Sequence, residues 1–248
     1  MLSDPLIIVA IALVFVLAGT IKGTVGIGLP AASVGMMALF LPAKLAIAVV
    51  VMPIVVVNAW QFWSAGDRLG AIRRYWPFLV TIVPMLFCVT FFTAQADSRT
   101  IALILGVVVV VFALSNLFFS PPALPDRFDR PAQVLGGLAA GVFGGLTSVW
   151  APPVMIYLLS RRVEKDEFVR GSGVIFAAGS VPLFIGFLWN GLLSGTTAIV
   201  STAMVLPALL GFALGARLRH RLGSDRFRTL LLVMFLIVGL NLLRRALF

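Results

Sequence analysis

Ala18-Gly19-Thr20-Ile21-Lys22-Gly23-Thr24-Val25-Gly26-Ile27-Gly28-Leu29-Pro30 decides how this chain is read. The stretch lies between apolar segments, yet it holds four glycines, a proline, two threonines and a lysine. Inside a bilayer every backbone N–H and C=O needs a partner. Non-helical backbone is tolerated there only where protein buries it or where it lines a watery cavity. A related stretch, Ala140-Gly141-Val142-Phe143-Gly144-Gly145-Leu146-Thr147-Ser148-Val149-Trp150-Ala151-Pro152, follows 122 residues later, with Ala18, Gly19, Gly23 and Pro30 falling on Ala140, Gly141, Gly145 and Pro152. Paired interruptions at corresponding places in two halves point to a binding site shared between them.

Composition sets the surroundings of these breaks. Of 248 residues, 61% are hydrophobic and only 11% charged, whereas soluble domains carry roughly a quarter charged residues. Successive apolar runs reach the ~20 residues that cross hydrocarbon. The expected class is an all-α polytopic membrane protein. Met1-Leu2-Ser3-Asp4-Pro5 has no basic n-region, so no cleaved signal peptide is expected. The single cysteine, Cys88, sits in an apolar run and reads as a small packing residue. The net charge of +10 fits cytoplasmic loops beside membrane spans, which collect Lys and Arg. No nucleic-acid module accompanies it, so nucleic acid is not an expected partner.

Read in order, a broken segment covers residues 6–41, with spans at 43–64, 77–96 and 100–119. A proline-rich linker at 121–131 precedes a second broken segment at 132–160 and spans at 168–190, 196–216 and 228–246. The expectation is a first repeat at 1–120 and a second at 132–248, each a Gly-rich hairpin helix plus three transmembrane helices. Pro84 and Pro207, and Asn116 and Asn241, recur at similar offsets. As one continuous helix, residues 6–41 would be about 54 Å long, too long for one crossing of a roughly 30 Å core.

Charge separates two topologies. If both broken segments are hairpins, loops 66–76, 120–131, 161–170 and 217–228 share a side and hold fourteen Lys and Arg, leaving Lys44, Arg99, Arg244 and Arg245 opposite. If each broken segment crosses fully, the split is eleven against seven. The hairpin arrangement obeys the positive-inside rule better, and three spans per half then give the halves opposite orientation. Both termini are expected on the periplasmic side of a bacterial inner membrane.

The chemistry these residues permit is anion binding. Gly23, Gly26, Gly28 and Gly145 let backbone N–H groups approach a ligand, and the arms starting near Leu29 and Ala151 aim helix N-termini at the breaks. Thr24, Thr147 and Ser148 add hydroxyl donors. The competing reading of the glycines is close helix packing. An ionisable Lys22 inside a membrane is a functional candidate, and its alternative is snorkelling to an interface. Asn58 and Gln61 share a helical face three residues apart; they could donate to an anion or join helices. Trp150 could wall a pocket or simply pack. His220 among Arg217, Arg219 and Arg221 reads as a basic loop. No catalytic triad, phosphate-binding loop or metal-ligand spacing is present in the sequence, so neither an enzyme, a metal nor a cofactor is expected.

Ala18-Gly19, Lys22-Gly23, Gly26, Gly28 and Pro30, the basic turn Trp63-Ser64-Ala65-Gly66-Asp67-Arg68-Leu69 through Tyr75-Trp76, and the second break from Gly141 to Pro152 together resemble the sulfite exporter TauE/SafE family of bacterial anion transporters. This sequence differs in running Gly28-Leu29-Pro30 where the family often has adjacent glycines followed by Val-Pro. The resemblance implies a secondary transporter, mostly outward, of sulfite or organosulfonates such as sulfoacetate, isethionate or taurine. An anion channel and a proton-coupled importer are the alternatives. The implied partners are a small sulfur anion, the lipid bilayer and, as one option, a second copy of the chain.

Overall fold

The computed structural model describes residues 2–118, 121–218 and 224–247; His220 with its neighbours Arg219 and Arg221 lies outside the described residues. Among the described residues no strand occurs, and the order is α1 (Pro5–Val25), α2 (Leu29–Met37), α3 (Ala43–Val49), α4 (Val51–Ser64), α5 (Arg68–Gln95), α6 (Ser98–Phe118), a 3-10 turn (Asp126–Phe128), α7 (Asp129–Thr147), α8 (Ala151–Ser160), α9 (Lys165–Trp189), α10 (Gly195–Ala203), α11 (Val205–Leu218) and α12 (Ser224–Leu247). Six stretches are long and apolar enough to cross a bilayer among the described residues: Pro5–Thr24, Ala43–Ser64, Arg68–Gln95, Ser98–Ser115, Asp166–Trp189 and Gly195–Leu218. The chain is a multi-pass membrane protein.

The elements follow from local chemistry. Asp4 caps α1, its side chain accepting from the Leu6 N–H at 2.9 Å, and Pro5 opens the helix where a missing N–H costs nothing. Along α1, Leu6, Val9, Leu13 and Leu17 form an exposed stripe, while Ile11, Phe15, Ala18 and Lys22 are buried on the opposite face. The lysine therefore lies on the face turned into the protein. The α5 helix starts at Arg68, ahead of the position 77 expected from the apolar pattern, because Asp67 caps it through the Gly70 N–H. Two of the expected spans are each interrupted, at Val50 and at Met204, just ahead of Pro53 and Pro207. A proline within a helix removes one N–H and clashes with the preceding turn. The Ser201 hydroxyl of α10 accepts from the Met52 N–H at 3.0 Å, tying the two interruptions together.

Long helices then pack in pairs: α1 along α11, α7 along α5, α6 along α12, and α9 against both α4 and α5. Successive glycine contacts advance together along each of the first two pairs, Gly19 to Gly23 against Ala208 to Ala216 and Gly137 to Gly145 against Phe78 to Val89, so both run parallel. One end of the molecule gathers charge. Arg74 lies 3.5 Å from Glu167, and Arg161 reaches Asp126 at 2.8 Å and Asp129 at 3.0 Å. There too the Tyr75 hydroxyl donates to Glu167 at 2.6 Å and the Tyr157 hydroxyl to Asp129 at 2.9 Å. Because Arg161 follows α8 and Asp129 begins α7, that pair doubles back to the end from which it entered. Lys44 is spent differently, donating to the Ala94 and Ala96 carbonyls at 2.6 and 3.0 Å and so capping α5. Arg99 does the same for the Ala246 and Leu247 carbonyls of α12.

Candidate functional site

Both glycine-rich stretches are real breaks in the helix. The first spans Gly26-Ile27-Gly28, where Gly26 ends α1 at φ 89° with its N–H on the Lys22 carbonyl at 2.7 Å, and Gly28 starts α2 at φ 102°. Two left-handed residues in three reverse the chain, and only glycine adopts that conformation without strain. The second break has a single left-handed residue, and it is not a glycine; Trp150, which opens α8, has φ −114° where Gly28 has 102°. Ser148 sits at φ 60°, its N–H on the Gly144 carbonyl at 2.8 Å and its hydroxyl on the Ile47 carbonyl at 3.2 Å. Neither α2 nor α8 has a side-chain cap, so the first-turn N–H groups are not satisfied that way.

Lys22 is 1% exposed. Its ammonium donates to Asn58 Oδ1 and lies 5.2 Å from the centroid of the Phe176 ring. Among the described residues, no carboxylate comes within ion-pair distance of it. Burying a charge without an opposite charge is expensive, so this ammonium is held only by an amide oxygen and an aromatic face. Asn58 turns its own amide to α9, donating to Ser180 Oγ at 2.8 Å and to the Phe176 carbonyl at 3.4 Å. One turn along α4, Gln61 donates to Ser172 Oγ at 3.2 Å and to the Val169 carbonyl at 3.3 Å, while its Oε1 is buried without a partner.

The second break reaches the same turn of α9. Trp150 is 2% exposed and packs edge-to-face on Phe176, ring centroids 6.4 Å apart. Its indole Nε1–H is buried and makes no hydrogen bond. It lies by Gly179, where an added methyl would stand 3.1 Å from that nitrogen. Phe176 therefore touches the lysine before the first break and the tryptophan at the second.

The remaining sequence candidates take other places. Gly23 faces α11, where an added methyl would stand 2.8 Å from Gly215 Cα, and Gly145 faces α5, where one would stand 2.6 Å from Val89 Cβ. Both are thus filled by neighbouring helices, and the Gly145 carbonyl accepts from the Thr93 hydroxyl at 2.7 Å. The Thr24 hydroxyl donates to the Ile21 carbonyl at 2.8 Å, and Thr147 donates to the Phe143 carbonyl at 2.6 Å while accepting from the Val149 N–H. These hydroxyls spend their one hydrogen on the backbone. Sequence reasoning missed Ser172, Phe176, Gly179 and Ser180. The signal was present in the spacing: Ser172, Phe176 and Ser180 fall four residues apart and line one face of a span.

A family model described as "Sulfite exporter TauE/SafE" matches residues 11–242. No curated protein and no solved structure matches the chain.

Proposed function

The chain belongs to the sulfite exporter TauE/SafE family, and from that premise we propose that it exports a small sulfur-containing anion, sulfite or an organosulfonate such as sulfoacetate, isethionate or taurine, across the bacterial inner membrane by alternating access. The family is one of membrane transporters of sulfur anions, and this chain is multi-pass. One observation carries the finer reading: the enclosed Lys22 ammonium has a neutral amide and a ring for neighbours and no acid. An anion entering beside it supplies the missing charge. Asn58 positions the ammonium, Trp150 offers a free N–H, and the uncapped starts of α2 and α8 add backbone donors. Gln61, Gly26 and Gly28 shape the surroundings. Gly23 and Gly145 serve the site by letting α1 and α7 lie close to their partners.

Residues 1–120 and 132–248 act as two inverted repeats joined by the 121–131 linker, with both termini periplasmic. In support, α1 pairs with α11 as α7 pairs with α5, each first arm lying on a helix of the other half. The charge-rich end, formed by loops around Arg74, Asp126 and Arg161, is the cytoplasmic one. Export of one negative charge from an inside-negative cell gains roughly 2.3 kcal/mol per 100 mV. Every acidic side chain described lies at a helix start or in a loop, which favours uncoupled export over a carboxylate proton relay.

Counterflow in proteoliposomes tests this. Labelled isethionate should exchange with unlabelled isethionate and saturate, and Lys22→Ala should remove the exchange while leaving the melting profile cooperative. Unitary currents in place of saturable counterflow would instead assign a channel.

A further inference from the structure

Transport of an anion leaves open which anions, and the charge balance at Lys22 bears on that. Resting on the transporter reading above and narrowing it, we propose that the site selects singly charged anions: isethionate and hydrogensulfite enter, and the dianions sulfate, sulfite and sulfoacetate are rejected.

Few charges are available in this enclosed part of the molecule. Lys22, 1% exposed, brings at most one positive charge. Among the described residues, the other groups on this turn of α9 are neutral: Asn58, Phe176, Ser180 and Trp150. Of the other described cations, Lys44 is spent on the Ala94 carbonyl, Arg99 on the end of α12 and Arg161 on Asp126, and Arg170 of α9 lies 3.9 Å from Glu167. A monoanion makes a neutral pair with the ammonium. A dianion leaves one uncompensated charge away from water, and the cost of that is steep in a low-dielectric interior.

Helix N-termini could in principle supply the second charge through the partial positive charge of their free N–H groups. Here prolines thin those groups out. Pro30 stands in the first turn of α2, and Pro152 and Pro153 in that of α8, each lacking an N–H. What remains for the ligand is hydrogen bonding. The ammonium has three N–H groups and gives one to Asn58. Trp150 Nε1–H, buried and unpartnered, gives another donor, and the missing side chain of Gly179 lets the indole lie close against α9. A sulfonate or hydrogensulfite, with three oxygens sharing one charge, suits such a set of donors around one cation.

The test measures inhibition of labelled isethionate uptake into proteoliposomes holding the full chain. The competitors are methanesulfonate, sulfate and sulfite, each measured across neutral pH. Methanesulfonate is a monoanion throughout, so it reports any titration of the protein itself. Sulfite passes from monoanion to dianion in the same range. The expected result is that the potency of sulfite relative to methanesulfonate falls about tenfold per pH unit once the dianion dominates, and that sulfate does not compete. Trp150→Phe, which keeps a ring and deletes the N–H, should weaken methanesulfonate about tenfold without changing the sulfite-to-methanesulfonate ratio. Equal competition by sulfate, or a ratio flat with pH, overturns the charge rule and leaves the transporter reading standing. Absence of isethionate uptake, with no competitor transported either, overturns both.

Discussion

The two broken-helix arms, α1 and α7, are held by seams that differ in what closes them. In the α1–α11 seam, glycines face each other from both sides. Gly19 and Gly23 meet the backbone of Ala208, Phe212 and Gly215, and Gly211 and Gly215 meet the backbone of Val16 and Thr20. In the α5–α7 seam the glycines stand on α7 alone, and Phe78, Thr81, Met85 and Val89 of α5 fill much of the space with side chains. Without a hydrophobic force between helices in lipid, close packing holds them together. Backbone against backbone cannot yield, whereas a side chain can rotate. The first arm, which carries Lys22, is thus gripped more rigidly than the second.

Two substitutions would break or sharpen that contrast. Gly211→Val should be the most damaging, since the new side chain meets the Val16 backbone, with Cα 2.9 Å from the first added carbon. A loss of about 3 kcal/mol is expected, read as a large drop in the melting temperature of purified protein in detergent. Gly136→Ala, which meets only the edge of the Phe78 ring at 2.8 Å, should cost far less in the same assay. Equal losses would erase the distinction between the seams.

The breaks themselves give the next effect. Gly28→Ala places a methyl on a residue at φ 102° and should cost about 1–2 kcal/mol, with the melting temperature lowered to match. Ser148→Gly should be the mildest. It relieves the left-handed strain at φ 60° but gives up the hydroxyl on the Ile47 carbonyl, and the two terms, each about 1 kcal/mol, nearly cancel. A loss as large as that of Gly28→Ala would mean that the link to α3, rather than the turn, sets the second break.

A local pattern was enough to show much of this protein. Apolar runs of spanning length, glycine and proline in the middle of two of them, and lysine and arginine concentrated in particular loops are features of neighbouring residues, because the bilayer forces each segment to satisfy its own backbone. That is why the helical class, the two breaks and the family could be read from Ala18–Pro30 and Ala140–Pro152, and why Lys22 stood out. Packing across the molecule decided the rest. Whether Lys22 reached an interface or the interior depended on Asn58 and Phe176, which approach it from α4 and α9. Gly23 and Gly145 carry the same lack of a side chain as Gly28, yet α11 and α5 occupy the space beside them. Spacing within a helix says which residues share a face, but only the neighbouring helix determines whether that face meets lipid, another backbone or room for a ligand.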